Sequence, residues 1–331
     1  MKIGLNVGYS HTKAVGNTSR EIRTANFPSI VGGADETHWT PGITGVGDGI
    51  RLLQPEAVLL GQDAVEQSRF IRRREDREWT GSREWLLLAL GAISELTEQS
   101  TNVDIITGLP IAYFEDKQIV IDVLTGPHHL QREGRRAQNI AIDNVTVLPE
   151  TYGTLFDLLW DDHGQVQDPD IATGRYGVID CGGKTTNLLT VNRIKEIGMA
   201  STSAPIGMWD AVRAMKQILG GRFPGLELRD HDIAEIITSG IVRYKGESID
   251  QSDAIFAITR AIATQIAAQA GQIWGGMANL DAILITGGGA LTFGPFLQEM
   301  IDITKVTIVD DPVMANARGF WKYAGYLDGR A

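Results

Sequence analysis

Two stretches of this chain repeat one arrangement of glycine and polar residues without a gap, at residues 3–13 and 178–187. Asn6 aligns with Asp180, Gly8 with Gly182 and Thr12 with Thr186. Each stretch reads as a strand, a polar residue, x-Gly, a polar turn and a second strand. A tight hairpin with glycine at its tip exposes backbone N–H groups that can wrap a phosphate. A carboxylate at the end of the first strand can hold a metal-bound water. Two such hairpins would clamp a phosphate chain from both sides. The candidate ligands are Asn6, Gly8, Tyr9, Ser10, His11, Thr12 and Lys13 in the first hairpin. In the second they are Asp180, Gly182, Gly183, Lys184 and Thr185.

Three other features bear on the same chemistry. Gly287, Gly288 and Gly289 follow an apolar run and would let the backbone approach a flat purine or ribose; the plain alternative is an ordinary strand-to-helix loop. Glu150 follows Leu148-Pro149, which suits a water-positioning or general-base carboxylate, or else a first-turn glutamate facing a helix dipole. Lys216, on an amphipathic stretch, could meet a nucleotide base or simply face solvent. Gly183-Lys184-Thr185 mimics the end of a P-loop, but position 178 is Val178 and the following residues are β-rich rather than helical. The P-loop reading is therefore rejected.

Other polar clusters have simpler readings. Cys181 has no nearby base to make a thiolate and reads as a small turn residue. His128-His129 lacks a third ligand at metal spacing and reads as loop histidines. The basic run at 69–77 is partly neutralised by Glu75, Asp76 and Glu78, so it reads as a solvated helix face or a subunit contact. Trp85 reads as core, and Trp79 as an interface anchor. Arg132, Arg135 and Arg136 surround Gly134 as at a hairpin tip.

Positioning these residues requires alternating strands and helices, which is the α/β pattern. Strands are expected at 2–7, 12–15, 103–107, 145–148, 176–180, 282–286 and 306–309. Helices are expected at 84–97, 152–159, 208–219, 255–274 (stopped by Gly275-Gly276) and 315–324. The Gly- and Pro-rich region 32–63 reads as loops, and 167–174 as a surface turn. A domain boundary is expected near Glu150, with the last helix returning to the first domain.

The chain has 331 residues, which suits two domains. Its net charge of −11 argues against unaided nucleic-acid binding. One cysteine excludes an intrachain disulfide framework and a cysteine-rich zinc site. No apolar run has the length of a membrane span. The start reads as a strand rather than a signal peptide, so the cytoplasm is the expected compartment.

Taken in order, these motifs resemble the actin/Hsp70/sugar-kinase ATPase superfamily, and within it the prokaryotic actin-like proteins of the ParM/StbA plasmid-segregation type and their archaeal relatives. Residues 4–13 resemble the phosphate-1 motif, 106–110 connect-1, 180–187 phosphate-2, 287–289 the adenosine motif and 315–320 connect-2. The resemblance implies two ribonuclease-H-like domains flanking a nucleotide cleft. The first would cover 1–150 plus 317–331, with a small subdomain near 30–98; the second would cover 151–316, with a small subdomain near 207–275. It implies ATP (or GTP) with Mg²⁺, Lys13 on the phosphates, Asp180 and Asn6 holding the metal through water, and Glu150 orienting the attacking water. Relatives usually carry Asp where Asn6 stands, and often where Asn187 stands. The loss of charge should weaken Mg²⁺ recruitment and slow hydrolysis. The implied function is a filament that assembles with ATP and disassembles after hydrolysis. It would segregate DNA or position a cell component through a separate DNA-binding adaptor. A small-molecule kinase of the same superfamily and a non-hydrolysing nucleotide-binding scaffold are the alternatives.

Overall fold

The computed structural model describes residues 1–18, 21–34, 50–72, 74, 76–275, 277–302 and 305–329. The chain divides into two compact units, Met1–Pro169 with Met314–Ala331, and Asp170–Val313. The first unit runs past Glu150 because the helix after it packs on the C-terminal helix Ala315–Asp328.

The first unit is built on β1 (Lys2–Val7), β2 (His11–Asn17), β3 (Ile22–Pro28), α1 (Arg83–Leu96), β4 (Thr101–Leu109), β5 (Gln138–Pro149) and α2 (Tyr152–Leu159). Its sheet runs β3-β2-β1-β4-β5 and continues through Gly126–Arg132, Ile50–Gln54, Val58–Leu60, Val31–Gly33 and Ile71–Arg72. The second unit carries β6 (Arg175–Cys181), β7 (Thr186–Asn192), α3 (Met208–Arg222), α4 (Ser252–Trp274), β8 (Ala282–Thr286), α5 (Ala290–Met300) and β9 (Lys305–Ile308). Its sheet runs Lys195–Glu196, β7, β6, β8, β9.

The two sheets share a plan. A strand pairs antiparallel with its successor and parallel with a strand far along the chain: β1 with β2 and β4, β6 with β7 and β8. Parallel strands are covered on both faces, which explains the near-continuous apolar runs of β1, β6 and β8. In the first unit α1 covers one face, with Trp85, Leu88 and Ile93 fully buried. The Ser82 hydroxyl starts this helix by accepting from the Trp85 N–H at 3.2 Å. Ile106, Phe320 and Ala324 pack on the other face. In the second unit α3, α4 and α5 share one core with β6, β7 and β8.

The C-terminal helix is locked to α2 by buried polar groups. The Asn316 side-chain Oδ1 accepts from the Thr154 N–H at 3.0 Å and the Thr154 hydroxyl at 2.8 Å, capping α2. Asp157, 5% exposed, accepts from Arg318 Nε at 2.7 Å and pairs with Lys322 Nζ at 2.9 Å. Rings of Phe156, Trp160, Tyr323 and Tyr326 stack beside this cluster.

The anticipated strands and helices are present, with ends shifted by a few residues. Several expectations are corrected. Residues 69–77 are not a helix face: Ile71–Arg72 is a strand and Arg77–Trp79 a 3-10 turn. Arg73 and Glu75 of that run lie outside the described residues. The region 32–63 is not all loop, since strands Val31–Gly33, Ile50–Gln54 and Val58–Leu60 and the helix Gln62–Gln67 occupy parts of it. Residues 35–49 lie outside the described residues, as does Gly276 of the expected helix stop. Residues 167–174 form a short helix, Pro169–Thr173. His128 and His129 sit in the strand Gly126–Arg132, where the His128 ring bonds the Leu124 carbonyl and the His129 ring bonds Asn139. Trp79 is buried, so it is core and not an interface anchor.

Asp157→Ala would leave the buried Lys322 ammonium and the half-buried Arg318 guanidinium without their carboxylate and is expected to cost about 3 kcal/mol. Urea unfolding of the variant beside the unchanged protein measures this, and a shift below about 1 kcal/mol would refute the role given to the cluster.

Candidate functional site

The repeat seen in the sequence is a repeat of hydrogen-bond register. In the first hairpin Asn6 faces Lys13 and Val7 faces Thr12, and the Gly8 N–H donates to the His11 carbonyl at 3.1 Å. In the second Asp180 faces Asn187 and Cys181 faces Thr186, and the Gly182 N–H donates to the Thr185 carbonyl at 2.9 Å. The two glycine N–H groups therefore close the turns rather than face a ligand. This changes the role expected of Gly8 and Gly182: they shape the turn.

Around the first turn, the side chains of Asn6, Tyr9 and Thr12 have defined partners. Asn6, 3% exposed, donates from Nδ2 to Glu150 Oε1 at 2.9 Å. This contact holds the end of β1 to the residue just after β5. Glu150 is itself held by its N–H donating to the Leu109 carbonyl at 2.8 Å. Its carboxylate thus faces the end of β1 rather than serving α2 as a simple first-turn acid. Thr12 and Ser29 hydroxyls share a hydrogen bond of 2.9 Å, and the Ser29 N–H donates to the Ser10 carbonyl at 2.8 Å. Lys13 is buried beside them in the strand.

Tyr9 turns away from the turn. Its ring stacks on Trp79 at 6.0 Å between centroids, and its hydroxyl donates to the Asp76 carbonyl at 3.2 Å. Burial, with smaller effects from Tyr113, Asp76 and Glu150, pushes its pKa up, so it stays a donor. The segment it grips is fixed in turn by Arg77, which donates to both Asp116 carboxylate oxygens at 2.9 Å. His11 is exposed as a residue, yet desolvation of its ring and the nearby Lys13 ammonium lower its pKa to about 4.

The second unit brings the second and third motifs together. Asp180, 3% exposed, is the penultimate residue of β6, next to the glycine loop after β8. The Gly289 N–H donates to the Cys181 carbonyl at 2.8 Å, and the Gly287 N–H to the Pro312 carbonyl at 3.0 Å. Gly287 has φ +89°, and a methyl group there would overlap the Asp180 carboxylate. So this loop must be glycine to lie against Asp180. Asn187 accepts from the Ser203 hydroxyl at 2.6 Å. Cys181 ends the strand β6 rather than sitting in the turn, and burial pushes its thiol up, so it stays protonated. Lys184 and Thr185 complete the turn before β7, which is a strand, consistent with rejecting the P-loop. Lys216 lies on α3, with its ammonium 2.8 Å from Asp230 Oδ1 and both side chains well exposed.

Sequence reasoning missed the Tyr9–Trp79–Asp76 contact and the Pro312 carbonyl under the glycine loop. Only the unusual tyrosine inside a phosphate-type turn hinted at the former. Among the described residues no group of three His, Cys, Asp or Glu side chains could hold a metal ion. Asp180 offers a hard carboxylate oxygen of the kind that Mg²⁺, which keeps most of its own waters, takes through water.

Two sheets of this order, each ending in a glycine-closed turn, define an actin-like ATPase fold. A profile of actin-like proteins, N-terminal domain, matches residues 4–153, and one of the archaeal actin homologue, MreB-like, C-terminal domain matches 178–299. An archaeal actin homologue of Thermoplasma volcanium is 26% identical, covering 96% of this chain and 97% of its own. One from Thermoplasma acidophilum is 25% identical with the same coverage of 96% and 97%. The native crystal structure of an archaeal actin homologue superposes with a TM-score of 0.82 at 21% identity, covering 100% of this chain and 99% of that one. A 15-stranded ParM filament from Clostridium botulinum has a subunit with a TM-score of 0.81 at 22% identity, covering 98% and 99%. The two profiles, which between them span most of the chain, make it an actin-like protein, similar in sequence to archaeal actin homologues.

The His11 ring is expected to titrate near pH 4 instead of 6.5, which an NMR titration of its ring protons reads directly. Because the folded value is depressed, the neutral ring's contribution to stability is complete above 6.5 and is lost as pH falls toward 4. His11→Gln should flatten the pH dependence of unfolding in that window. A ring titrating at 6.5 would refute this.

Proposed function

We propose that the chain is a nucleotide-dependent, filament-forming ATPase that assembles with Mg-ATP and loosens after hydrolysis. The observation that carries the reading is the identical register of the two glycine-closed turns, with Asn6 bonded to Glu150 in one and Asp180 buried beside the glycine loop in the other. An archaeal actin homologue of this fold has been crystallised with ADP, at 21% identity and a TM-score of 0.79. A Bacillus thuringiensis ParM of this fold has been solved with ATP, at 15% identity and a TM-score of 0.70.

In this reading one nucleotide uses the motifs of both units. The Tyr9–His11 backbone and Lys13 meet its phosphates, as do Gly183, Lys184 and Thr185, with Gly8 and Gly182 shaping the two turns. Gly287, Gly288 and Gly289 face its adenosine, with Lys216 as a base contact and GTP as a second ligand to test. Asp180 holds a water of Mg²⁺, and the Asn6 amide oxygen assists. Glu150 orients the attacking water. Positioning and charge, rather than covalent chemistry, would do the work. The proposal includes small subdomains near 30–98 and 207–275, a plasmid or other cellular cargo, a basic adaptor and a cytoplasmic setting. Unaided DNA binding is disfavoured by the net charge of −11. Among the described residues no helix is long and apolar enough to cross a membrane. The Asn6–Glu150 hydrogen bond favours a second reading, a slow or non-hydrolysing switch, because an amide donor occupies one oxygen of the carboxylate that would handle the water.

Pelleting and light scattering with Mg-ATP, Mg-GTP, a non-hydrolysable analogue or no nucleotide, with phosphate release in parallel, test the proposal. Nucleotide-dependent pelleting is expected, and none at high protein concentration would sink the filament reading. Glu150→Gln keeps the shape and the hydrogen-bond acceptor for Asn6 but loses the charge. It should lower phosphate release by roughly 100-fold or more while nucleotide binding and pelleting persist. Phosphate release from the parent protein no faster than from Glu150→Gln would support the non-hydrolysing switch.

Asn6→Asp would set a second carboxylate at the end of β1, against Glu150. Half-maximal phosphate release is expected at several-fold lower Mg²⁺. An unchanged rate and unchanged Mg²⁺ dependence would remove the role given to Asn6.

A further inference from the structure

Residues 206–210 form the entry and first turn of the helix α3, and nothing above gives them a role. The Thr186 hydroxyl donates to the Ile206 carbonyl at 2.8 Å, which anchors the segment to β7. The Met208 N–H donates to the Gly182 carbonyl at 3.1 Å, and the Trp209 N–H to the Gly183 carbonyl at 2.9 Å. These are the first two N–H groups of α3, which have no acceptor within a helix. The tip of the hairpin supplies their acceptors. Asp210 Oδ2 accepts from the Gly207 N–H at 2.9 Å and fixes the entry to the helix.

Gly207 makes this approach possible by size and not by conformation. Its φ of −166° is extended backbone that any residue adopts. A methyl group on it would overlap the Gly183 carbonyl oxygen and sit 2.8 Å from the Gly182 oxygen. Both obstacles are backbone atoms, so they cannot swing aside as a side-chain tip could.

The bonds to α3 decide where the turn's donors point. A peptide unit is planar and trans, so a carbonyl and the following N–H aim in opposite directions. Tying the Gly182 and Gly183 carbonyls to α3 therefore aims the N–H groups of Gly183 and Lys184 away from it, on the same side of the turn. Two successive N–H groups on one side form an anion-binding concavity. The Gly182 N–H is not one of them, because it closes the hairpin.

The geometry points to Gly207 as a positioning residue that, with the Asp210 cap, aims the Gly183 and Lys184 N–H groups at a nucleotide phosphate. The assignment rests on the nucleotide-binding reading above and names which backbone donors that reading uses. Because the effect is on phosphate alone, it separates from general loss of structure.

The test compares ADP and adenosine binding, each with Mg²⁺, by calorimetry on the full chain. Gly207→Ala is the main variant. Gly220→Ala on the same helix is the control, since a methyl there meets nothing within 4 Å. Gly207→Ala should reduce the preference for ADP over adenosine at least tenfold, and Gly220→Ala should not change it. Asp210→Ala loosens the cap without a clash and should cut the preference several-fold, with Asp210→Asn restoring much of it. These variants carry the test if Gly207→Ala does not fold. Equal losses for ADP and adenosine, or a preference within twofold of the parent in folded Gly207→Ala, would overturn the inference. An unaltered protein that binds neither ligand would instead remove the nucleotide reading, and the assignment with it.

Discussion

The parallel pairing of β1 with β4, and of β6 with β8, governs where every candidate functional group lies. Parallel strands end at the same edge of a sheet, so the segments that follow them emerge side by side. In the first unit that edge gathers the Asn6 turn, the end of β4 and, one strand further, Glu150 after β5. In the second it gathers Asp180 and the glycine loop after β8. Burial on both faces of these strands supplies the stability that lets their ends carry polar residues with little solvent around them.

Within that frame the chemistry is set by short polar contacts. An aspartate at position 6 would put two carboxylates against each other, and one would resist ionisation unless a cation lay between them. An asparagine instead offers an N–H to Glu150 and keeps one oxygen for a ligand. In the second unit, Asp180 sits in an environment so close that only glycine fits beside it at 287. The same economy of space appears at Gly207, where backbone approaches backbone. Both contacts place polar groups by excluding a side chain, which is a more rigid device than a long flexible ligand.

Much of the fold was legible from pattern. Apolar runs such as 2–7, 176–180 and 282–286 have few alternatives to buried strands, and the gapless repeat predicted paired hairpins that the register confirms. What misled was charge without context. The arginines near 69–77 look like an exposed helix, yet Arg72 pairs with Glu56 and Arg77 with Asp116, partners distant in sequence that hold an extended segment and a 3-10 turn. His128 and His129 look like loop residues until the strand Gly126–Arg132 finds β5. Trp79 looked available to a partner because nothing local says that Tyr9 covers it.

The sequence by itself determined the α/β class and the two glycine-closed turns. These follow from residue type and short spacing, which act over a few bonds. Tertiary structure alone decided that Asn6 holds Glu150, that Tyr9 leaves its turn for Trp79 and Asp76, and that the Gly182 and Gly183 carbonyls belong to α3. Each of these joins residues far apart in the chain. Hydrogen bonds of this kind depend on a few tenths of an ångström and on direction. No spacing along a sequence encodes that until the sheets have brought the partners together.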